Sequence, residues 1–405
     1  MSDPILIVGA GQAGLQAADA LRAGGHDGAV QLIGSESHAP YHRPPLSKSY
    51  LLGETARTQL TIRSAEALEK KDIDFLPGVQ VVGLDRAAQR VELADGRRLP
   101  YRALCLATGA RVRTLALPGS ELAGRHVLRT VDDAQALATA LAAAQRVVVI
   151  GGGFIGLEVA AVARRLGKSV VVLEAADRLM ARAVAPQISA FHAQLHTERG
   201  VQVVCAAQVV RISGGGGRVG GVAVADGREF AADLVIEAVG ILPNDELARA
   251  AGLECERGIV VDDCSRTQDP AVVAAGDCTA RRLPDGRLQR LESVQNAVEQ
   301  GRAAAAALLG QPKPFAAHPW FWSDQYDVKL QMAGLSAGHD RVVVRGEPVQ
   351  RSFSAFYFRA DRLIAVDSVN RPTEHLAARK LLDQGITPSD EQAADGAFAL
   401  ASLLA

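Results

Sequence analysis

The sequence lacks an excess of charge of either sign and lacks any long run of apolar residues. Its 44 basic and 45 acidic side chains leave a formal net charge of −1, whereas nucleic-acid-binding domains usually carry a clear basic excess. No stretch reaches the roughly 18 apolar residues that a membrane-spanning helix needs. We therefore expect neither a nucleic acid nor a membrane as a partner.

Cysteine is also scarce, and its spacing fits neither a metal site nor a redox pair. The cysteines are Cys105, Cys205, Cys255, Cys264 and Cys278. They lie far apart, they are odd in number, and no two have the CxxC spacing of metal ligands. The first residues have no basic segment or cleavage site and enter a strand pattern at once. These features predict a cytoplasmic protein without a disulfide framework and without a metal centre.

Glycine, by contrast, is abundant, and two glycine-rich segments, 5–14 and 147–156, repeat one pattern. Each segment is an apolar strand that runs into a GxGxxG turn and then into a helix rich in small residues. The first glycine of such a turn permits the bend, the second lets the backbone approach a pyrophosphate, and the third brings helix and strand together. The helix N-terminus adds unpaired N–H groups and positive partial charge. Two such units predict two dinucleotide-binding domains.

An acidic residue at the end of the second strand of such a unit binds the ribose hydroxyls. Glu174 has this position in the second unit, 23 residues after Gly151. No arginine follows it directly to bind a 2′-phosphate, so the sequence predicts NADH rather than NADPH. In the first unit Ser35 and Glu36 are both candidates, and the choice between them stays open.

A further motif, Gly276-Asp277, follows a short apolar strand and indicates that the first unit binds FAD. It comes after both glycine turns and after Thr108-Gly109, the end of another buried strand. This order resembles that of flavoproteins with two dinucleotide domains, in which the aspartate of the later motif binds the ribityl chain. The sequence therefore predicts FAD at the first unit and NADH at the second.

Five segments together resemble the FAD-dependent, NADH-linked ferredoxin reductases of the glutathione-reductase structural class. This group includes the putidaredoxin and rubredoxin reductases, and the putidaredoxin-reductase branch, which serves cytochromes P450, is the most similar. The matching segments are 40–48, 107–109, 151–158, 276–277 and 320–326.

The resemblance covers the whole chain and implies an α/β fold with two Rossmann-like dinucleotide-binding domains and a C-terminal α+β interface domain. The expected FAD domain is discontinuous and consists of residues 1–110 and 242–317. The expected NAD domain is 111–241, and the expected C-terminal domain is 318–405.

The disulfide reductases of this structural class carry a cysteine pair early in the FAD domain, and related peroxidases carry one cysteine in the same region. Here that region reads Tyr41-His42-Arg43-Pro44-Pro45, and no cysteine precedes Cys105. Electrons should therefore leave the flavin directly for an external acceptor.

The resemblance implies an NADH-dependent ferredoxin reductase of class EC 1.18.1. Electrons would pass from NADH through FAD to a [2Fe–2S] ferredoxin that serves a cytochrome P450 or another oxygenase. Two alternatives stay open within enzymes, namely a rubredoxin reductase and an NADH oxidase-like diaphorase. A redox-sensing flavoprotein, in which NADH binding changes the choice of partner, is the alternative from another class.

The resemblance also assigns roles to single residues. It places Lys48 near flavin N5 and Glu158 at the gap between flavin and nicotinamide, where Glu158 pairs with Lys48 or binds the carboxamide. It assigns Arg129 to the pyrophosphate and Trp322 to the flavin edge. The other expected cofactor contacts are Gly9, Gly11, Ala13, Gly14, Arg43, Val81, Ala107, Thr108, Gly109, Gly151, Gly153, Ile155, Gly156, Gly240, Gly276, Asp277 and Val294.

Ferredoxins of this kind are usually acidic, so a local basic patch is expected despite the balanced total charge. Arg63 and Arg302 match positions near the flavin in the family. A further group of arginines follows Asp277, and we expect these side chains to attract the partner. The group consists of Arg281, Arg282, Arg287 and Arg290.

Overall fold

A computed structural model describes residues 3–283, 285–315 and 318–404. The chain forms two compact units. The first consists of Met1–His42, Arg57–Arg111 and Ile241–Ala317, and the second consists of Arg43–Ala56, Val112–Gly240 and His318–Ala405.

The helices are distributed over both units. In chain order the α-helices are α1 (Gln12–Ala23), α2 (Ala65–Glu69), α3 (Val131–Ala143), α4 (Phe154–Arg165), α5 (Pro186–Glu198), α6 (Glu246–Ala250), α7 (Val294–Leu308), α8 (Pro372–Asp383) and α9 (Asp390–Ala394). Short 3-10 helices are Pro44–Ser47, Arg57–Leu60, Pro348–Gln350 and Leu400–Leu404.

The strands are short, as is usual in twisted sheets. The first half of the chain contains β1 (Ile5–Val8), β2 (Val30–Ile33), β3 (Ile73–Leu76), β4 (Val81–Asp85), β5 (Arg90–Leu93), β6 (Arg98–Pro100), β7 (Ala103–Leu106), β8 (Ala110–Val112), β9 (Arg125–His126), β10 (Arg146–Ile150), β11 (Ser169–Leu173) and β12 (Val201–Val204). The second half contains β13 (Val209–Gly215), β14 (Arg218–Val224), β15 (Glu229–Ala231), β16 (Leu234–Glu237), β17 (Ile241–Pro243), β18 (Ile259–Val261), β19 (Val272–Ala274), β20 (Thr279–Arg282), β21 (Leu288–Gln289), β22 (Trp320–Gln325), β23 (Val328–Gly334), β24 (Arg341–Glu347), β25 (Ser352–Arg359) and β26 (Arg362–Val369).

The first unit is built on a parallel sheet with the strand order β19-β7-β1-β2-β3. Strand β1 is apolar at every position and fully buried, which is typical of a parallel strand covered on both faces. Helices α1 and α7 pack closely at Gly301, where the absence of a side chain permits the approach. A Cβ at this position would lie only 2.6 Å from the backbone oxygen of Ala13. This close packing places the start of α1 against the middle of α7.

The second unit contains another parallel sheet, with the strand order β12-β11-β10-β16-β9. Its central strand β10 pairs Val147 with Val170 on one side and with Leu234 on the other. Strands β13, β14 and β15 form a separate antiparallel sheet.

The last part of the second unit is an antiparallel sheet with the order β22-β23-β26-β25-β24. Helix α8 packs against this sheet through a core that contains Phe356, Phe358 and Leu381. Each of these three side chains is completely buried.

Two parallel sheets of the dinucleotide-binding type and a C-terminal α+β region confirm the predicted fold class. The division at residues 110, 241 and 317 stays a prediction. The second unit contains both the expected NAD domain and the expected C-terminal domain, together with 43–56, a segment that the sequence analysis assigned to the FAD domain. Within the described parts of the chain, no helix combines the length and apolar character that crossing a membrane requires.

Candidate functional site: two glycine turns and a buried ion pair

The glycine turn of the first unit leaves open space above the start of α1. Gly9 has a φ of +115°, and a Cβ there would overlap the carbonyl oxygen of Ala107. A Cβ at Gly14 would overlap the carbonyl oxygen of Gly9, so this glycine permits the helix and strand to touch. At Gly11, in contrast, a Cβ would meet no atom of the described residues within 4 Å. Packing therefore requires glycine at Gly9 and Gly14 but not at Gly11.

The turn of the second unit repeats this arrangement. Gly151 has a φ of +111° and lies against the carbonyl oxygen of Ala238, and Gly156 lies against the carbonyl oxygen of Gly151. A Cβ at Gly153 would again meet nothing within 4 Å. The same three-part pattern in both units indicates that the open position serves a ligand rather than the protein's own packing.

The helices that follow these turns begin without a capping side chain. Gly11 precedes α1 and Gly153 precedes α4, and in the part of the chain that the structure describes neither helix has a side-chain hydrogen bond at its N-cap. The first-turn N–H groups of each twelve-residue helix therefore point into the open space beside the turn. Unpaired amides and the positive end of the helix dipole suit a phosphate group. The residues present thus fit the pyrophosphate of a dinucleotide in both units.

Glu174 is tied to the glycine turn of the second unit. Its Oε2 accepts a hydrogen bond from the backbone N–H of Gly152 at 2.6 Å, and its Oε1 accepts one from the N–H of Ala176 at 2.8 Å. A carboxylate offers about four acceptor positions, so two remain for other donors. The structure therefore places this carboxylate beside the turn, with acceptor positions left for other donors.

In the first unit the two candidates for the ribose contact differ in their environment. Ser35 is exposed, whereas Glu36 is half-buried and accepts a hydrogen bond from the hydroxyl group of Tyr41. A carboxylate held by a neighbouring hydroxyl is better positioned than an exposed serine. This contact favours Glu36.

The Gly276-Asp277 motif lies close to the first glycine turn. Gly276 has a φ of +86°, and a Cβ there would lie 2.9 Å from the Cβ of Ala13. The Gly276 N–H donates to Oε1 of Gln300 at 2.8 Å, and the Thr279 hydroxyl donates to the same oxygen at 2.9 Å. Gln300, which was not among the residues predicted from the sequence, lies in α7 and holds the motif through these two hydrogen bonds.

Other predicted cofactor contacts also lie in the first unit. Thr108 donates through Oγ1 to the backbone oxygen of Asn244 at 2.6 Å, and the Asn244 amide donates back to the Thr108 oxygen at 2.9 Å. Gly109 follows with a φ of +66°. Val81 begins β4, and Val294 begins α7.

The remaining predicted residues belong to the second unit. The Arg43 guanidinium donates to the backbone oxygen of Arg129 at 2.7 Å, so the structure brings these two basic residues together. Ile155 is 43% exposed in the first turn of α4. Trp322 lies in β22 with its ring stacked on that of Trp320 at a centroid distance of 5.6 Å. Gly240 has a φ of +103°.

Lys48 and Glu158 form an ion pair in the second unit. The Nζ of Lys48 lies 2.6 Å from Oε2 of Glu158, whose side chain is only 1% exposed. The hydroxyl groups of Ser47 and Ser323 also donate to this carboxylate, the latter to Oε1 at 2.7 Å. Three donors offset the cost of burying the charge. The structure shows the pairing with Lys48, the first of the two contacts that were expected for Glu158.

None of the five cysteines is in an environment that favours a thiolate. All are free, and burial raises the pKa of every one of these thiols, to about 11 for Cys255. Reactive cysteines need a lowered pKa, because the thiolate is the nucleophile. The structure therefore offers no thiol suited to redox exchange.

The arginines of the predicted basic patch are all paired with carboxylates in the first unit. The pairs are Arg63–Asp19, Arg281–Asp263, Arg282–Glu254, Arg287–Asp285, Arg290–Glu292 and Arg302–Glu299, at N–O distances of 3.7 Å or less. Each pair has no net charge, so these arginines create a weaker positive field than the sequence suggested.

Two family models match this chain. The first, pyridine nucleotide-disulphide oxidoreductase, matches residues 3–301, and the second, reductase C-terminal, matches residues 320–404. The chain belongs to the pyridine nucleotide-disulphide oxidoreductase family. FAD and NAD(H) are the cofactors of this family, and the two glycine turns fit them.

Similar proteins place this family member among the ferredoxin reductases, which confirms the predicted family. Rhodocoxin reductase of Rhodococcus erythropolis is 48% identical over 397 residues, which cover 98% of this chain and 93% of that protein. The ferredoxin–NAD(+) reductase component of the anthranilate 1,2-dioxygenase system of Burkholderia cepacia is 44% identical over 407 residues, which cover 100% of this chain and 100% of that protein. The crystal structure of the ferredoxin reductase for the CYP199A2 system of Rhodopseudomonas palustris matches with a TM-score of 0.97 and 43% identity over all of both chains.

Proposed function

We propose that this protein is an NADH-dependent reductase that passes electrons through bound FAD to a [2Fe–2S] ferredoxin of an oxygenase system. One observation carries the proposal: a chain with two intact dinucleotide turns, similar over its whole length to ferredoxin reductases, has no thiol suited to redox exchange. A disulfide substrate would need such a thiol, whereas a one-electron carrier protein does not. The proposed domains are those predicted from the sequence, and a cytoplasmic location stays a prediction.

The residues that would hold FAD lie mainly in the first unit. The open turn at Gly11 and the uncapped start of α1 suit the pyrophosphate. Glu36 would bind the adenosine ribose, and Asp277 would bind the ribityl chain, on the turn that Gln300 supports. When bound, FAD supplies the conversion between a two-electron hydride donor and one-electron acceptors.

The residues that would hold NADH lie in the second unit. The open turn at Gly153 suits the pyrophosphate, and Glu174, fixed by two backbone N–H groups, would accept hydrogen bonds from the ribose diol. The same carboxylate would repel a 2′-phosphate, so this arrangement selects NADH. Lys48 would present an oriented N–H donor to the reacting groups, because its ion pair with Glu158 holds the ammonium group in one position.

The acceptor is inferred from the relatives and from charge. The names of the relatives include both a dioxygenase system and the CYP199A2 system, so the terminal oxygenase is not selected by similarity. Because each arginine of the predicted patch is paired with a carboxylate, we expect only a modest fall in ferredoxin reduction as salt rises.

The experiment that tests the proposal is NADH-dependent reduction of cytochrome c with and without an added [2Fe–2S] ferredoxin. We expect a rate that depends on the ferredoxin concentration and a much lower rate with rubredoxin. Oxygen consumption without any carrier would favour the NADH oxidase-like alternative. Absence of turnover with every carrier, despite tight NADH binding, would favour the redox sensor.

A further inference from the structure

A buried chain of hydrogen bonds continues from Glu158 into β22. The Ser323 hydroxyl donates to Oε1 of Glu158 at 2.7 Å, and the side-chain amide of Gln325 donates to Oγ of Ser323 at 3.1 Å. Ser323 and Gln325 are completely buried, and Glu158 is almost so. Because Ser323 and Gln325 are two positions apart in the strand, both side chains lie on the same face of β22.

The chain ends at two buried histidines in α5. The carbonyl oxygen Oε1 of Gln325 lies 3.0 Å from Nδ1 of His192 and 2.9 Å from Nε2 of His196. The two rings are four residues apart and therefore project from the same face of the helix. Both are completely buried. The hydroxyl of Tyr326 lies 3.4 Å from Nδ1 of His196.

The carboxylate of Glu158 determines the direction of every bond in this chain. An ionised carboxylate only accepts hydrogen bonds, so Ser323 must donate to it. The Ser323 oxygen then accepts from the NH2 group of Gln325, which turns the Gln325 carbonyl oxygen toward the histidines. That oxygen only accepts, so both rings must donate to it.

This direction requires one tautomer of each ring. His192 must carry its proton on Nδ1, and His196 must carry its proton on Nε2. We propose that Ser323 and Gln325 are positioning residues that hold Glu158 toward Lys48, and that the charge of Glu158 sets the opposite tautomers of His192 and His196 through them. The catalytic part of this proposal rests on the proposed function, whereas the tautomer part does not.

The surroundings of the two rings agree with neutral imidazoles. Burial lowers the pKa of His192 to about 4, with a smaller contribution from the neighbouring His196, and burial also lowers the pKa of His196. The Nε2 atom of His192 has no hydrogen-bond partner in the described part of the chain. A proton on that atom would be a buried unpaired donor, whereas a bare nitrogen costs less.

Replacing Glu158 by glutamine tests the direction of the chain without changing its shape. Lys48 only donates, so the carbonyl oxygen of the new amide should face Lys48 and its NH2 group should face Ser323. The Ser323 hydroxyl would then accept from residue 158 and lose the acceptor for its own proton, which it would donate to the Gln325 side chain instead. Gln325 would turn over to accept this proton, its NH2 group would face the histidines, and both rings would have to accept. We expect Glu158→Gln to move the proton of His192 to Nε2 and that of His196 to Nδ1.

The measurement is a long-range 1H–15N NMR spectrum of the FAD-loaded protein with 15N-labelled histidine. The signals are assigned with His192→Asn and His196→Asn. Ser47→Ala is the matched control, because Ser47 also donates to Glu158 but is not part of the chain to the histidines. It should leave both tautomers unchanged. Unchanged tautomers in Glu158→Gln would overturn the tautomer part of the proposal.

Ser323→Ala tests the positioning role, because it removes one of the donors that orient the Glu158 carboxylate. We measure NADH-dependent ferricyanide reduction, which needs no ferredoxin, so failure of the ferredoxin assignment would not affect the result. We expect kcat to fall by roughly 10-fold or more, the value of a charge-assisted hydrogen bond, and the KM for NADH to change much less.

Gln325→Met is a second variant of similar size that breaks the same chain one residue further on. We expect its kcat to fall as well, but by less than in Ser323→Ala, because Ser323 can still donate to Glu158. The ratio of flavin to protein and the Tm show that each variant is folded and loaded. A wild-type kcat in folded, FAD-containing forms of both variants would overturn the positioning role.

Discussion

Replacing Gly11 by valine should remove FAD binding without unfolding the protein. A Cβ at this position meets no protein atom within 4 Å, and the backbone has an ordinary extended conformation with φ −78° and ψ −167°. The added Cβ therefore creates no steric clash with the described residues, and the backbone conformation is one that valine adopts without strain. The substitution also weakens the N-cap of α1, which should lower the free energy of unfolding by at most about 1 kcal/mol.

The same side chain would occupy the space in which a pyrophosphate meets the amides of α1. Charge-assisted hydrogen bonds of this kind are worth roughly 1.5–3 kcal/mol each. Loss of one of them weakens binding by roughly 10- to 150-fold. We therefore expect Gly11→Val to raise the Kd for FAD at least tenfold and to yield a pale or colourless protein.

Three further variants separate ligand binding from folding. Gly153→Val should abolish NADH binding but keep a full flavin spectrum, because it makes the same change in the other unit. Gly215→Val, at another position with open space, should leave both cofactors bound. Gly14→Val should unfold the first unit, because its side chain would overlap the carbonyl oxygen of Gly9.

The assays are flavin absorbance per protein, titration of the apoprotein with FAD by calorimetry, and thermal unfolding of the apo forms. A Gly11→Val protein that purifies with one FAD per chain would refute the assignment of this turn to the flavin. Loss of flavin in the Gly215→Val control would show that the assay reports instability rather than a blocked site.

Three other predictions concern Glu174, the cysteines and Asp367. Glu174→Ala should raise the Kd for NADH by roughly 10- to 150-fold and that for NADPH by less, and equal kcat/KM for both cofactors in the unmodified protein would contradict the role of Glu174. Replacement of all five cysteines by alanine or serine should leave NADH-dependent ferricyanide reduction largely intact, whereas inactivity of a folded, flavin-containing form would require a thiol mechanism. Burial raises the pKa of Asp367 to about 7, while the Tyr357 hydroxyl donates to it. The unfolded chain loses this proton near pH 4, so the free energy of unfolding falls as pH rises from about 4 to about 7. Asp367→Asn should therefore raise Tm more at pH 8 than at pH 5, and an equal change at both pH values would contradict this reasoning.

The dinucleotide turns could be predicted from the sequence because their constraints are local. Gly14 lies against the carbonyl oxygen of Gly9, an atom that the strand–turn–helix geometry itself supplies, and Gly9 needs glycine for the positive φ of the turn, so their spacing is visible in the sequence. Glu174 is predictable for the same reason, because it ends the strand that follows the helix. In these cases the feature that can be seen in the sequence lies within one strand–turn–helix–strand unit.

Other parts of the site depend on packing between distant segments. Gln300 reaches Gly276 only because α7 packs on α1, and no pattern near either residue reveals the contact. Ser323 reaches Glu158 across 165 positions of the chain. The ion pairs of the predicted basic patch were missed because a charge count does not show which arginine faces which carboxylate.

The most direct test of the account is the stoichiometry of ferredoxin reduction under anaerobic conditions. A catalytic amount of the protein is mixed with NADH and an excess of oxidised [2Fe–2S] ferredoxin, and the reduced cluster is counted by its visible and EPR spectra. We expect two ferredoxins to be reduced for each NADH oxidised, because the hydride carries two electrons and each cluster accepts one. Oxidation of NADH by ferricyanide while the ferredoxin stays fully oxidised would contradict the account.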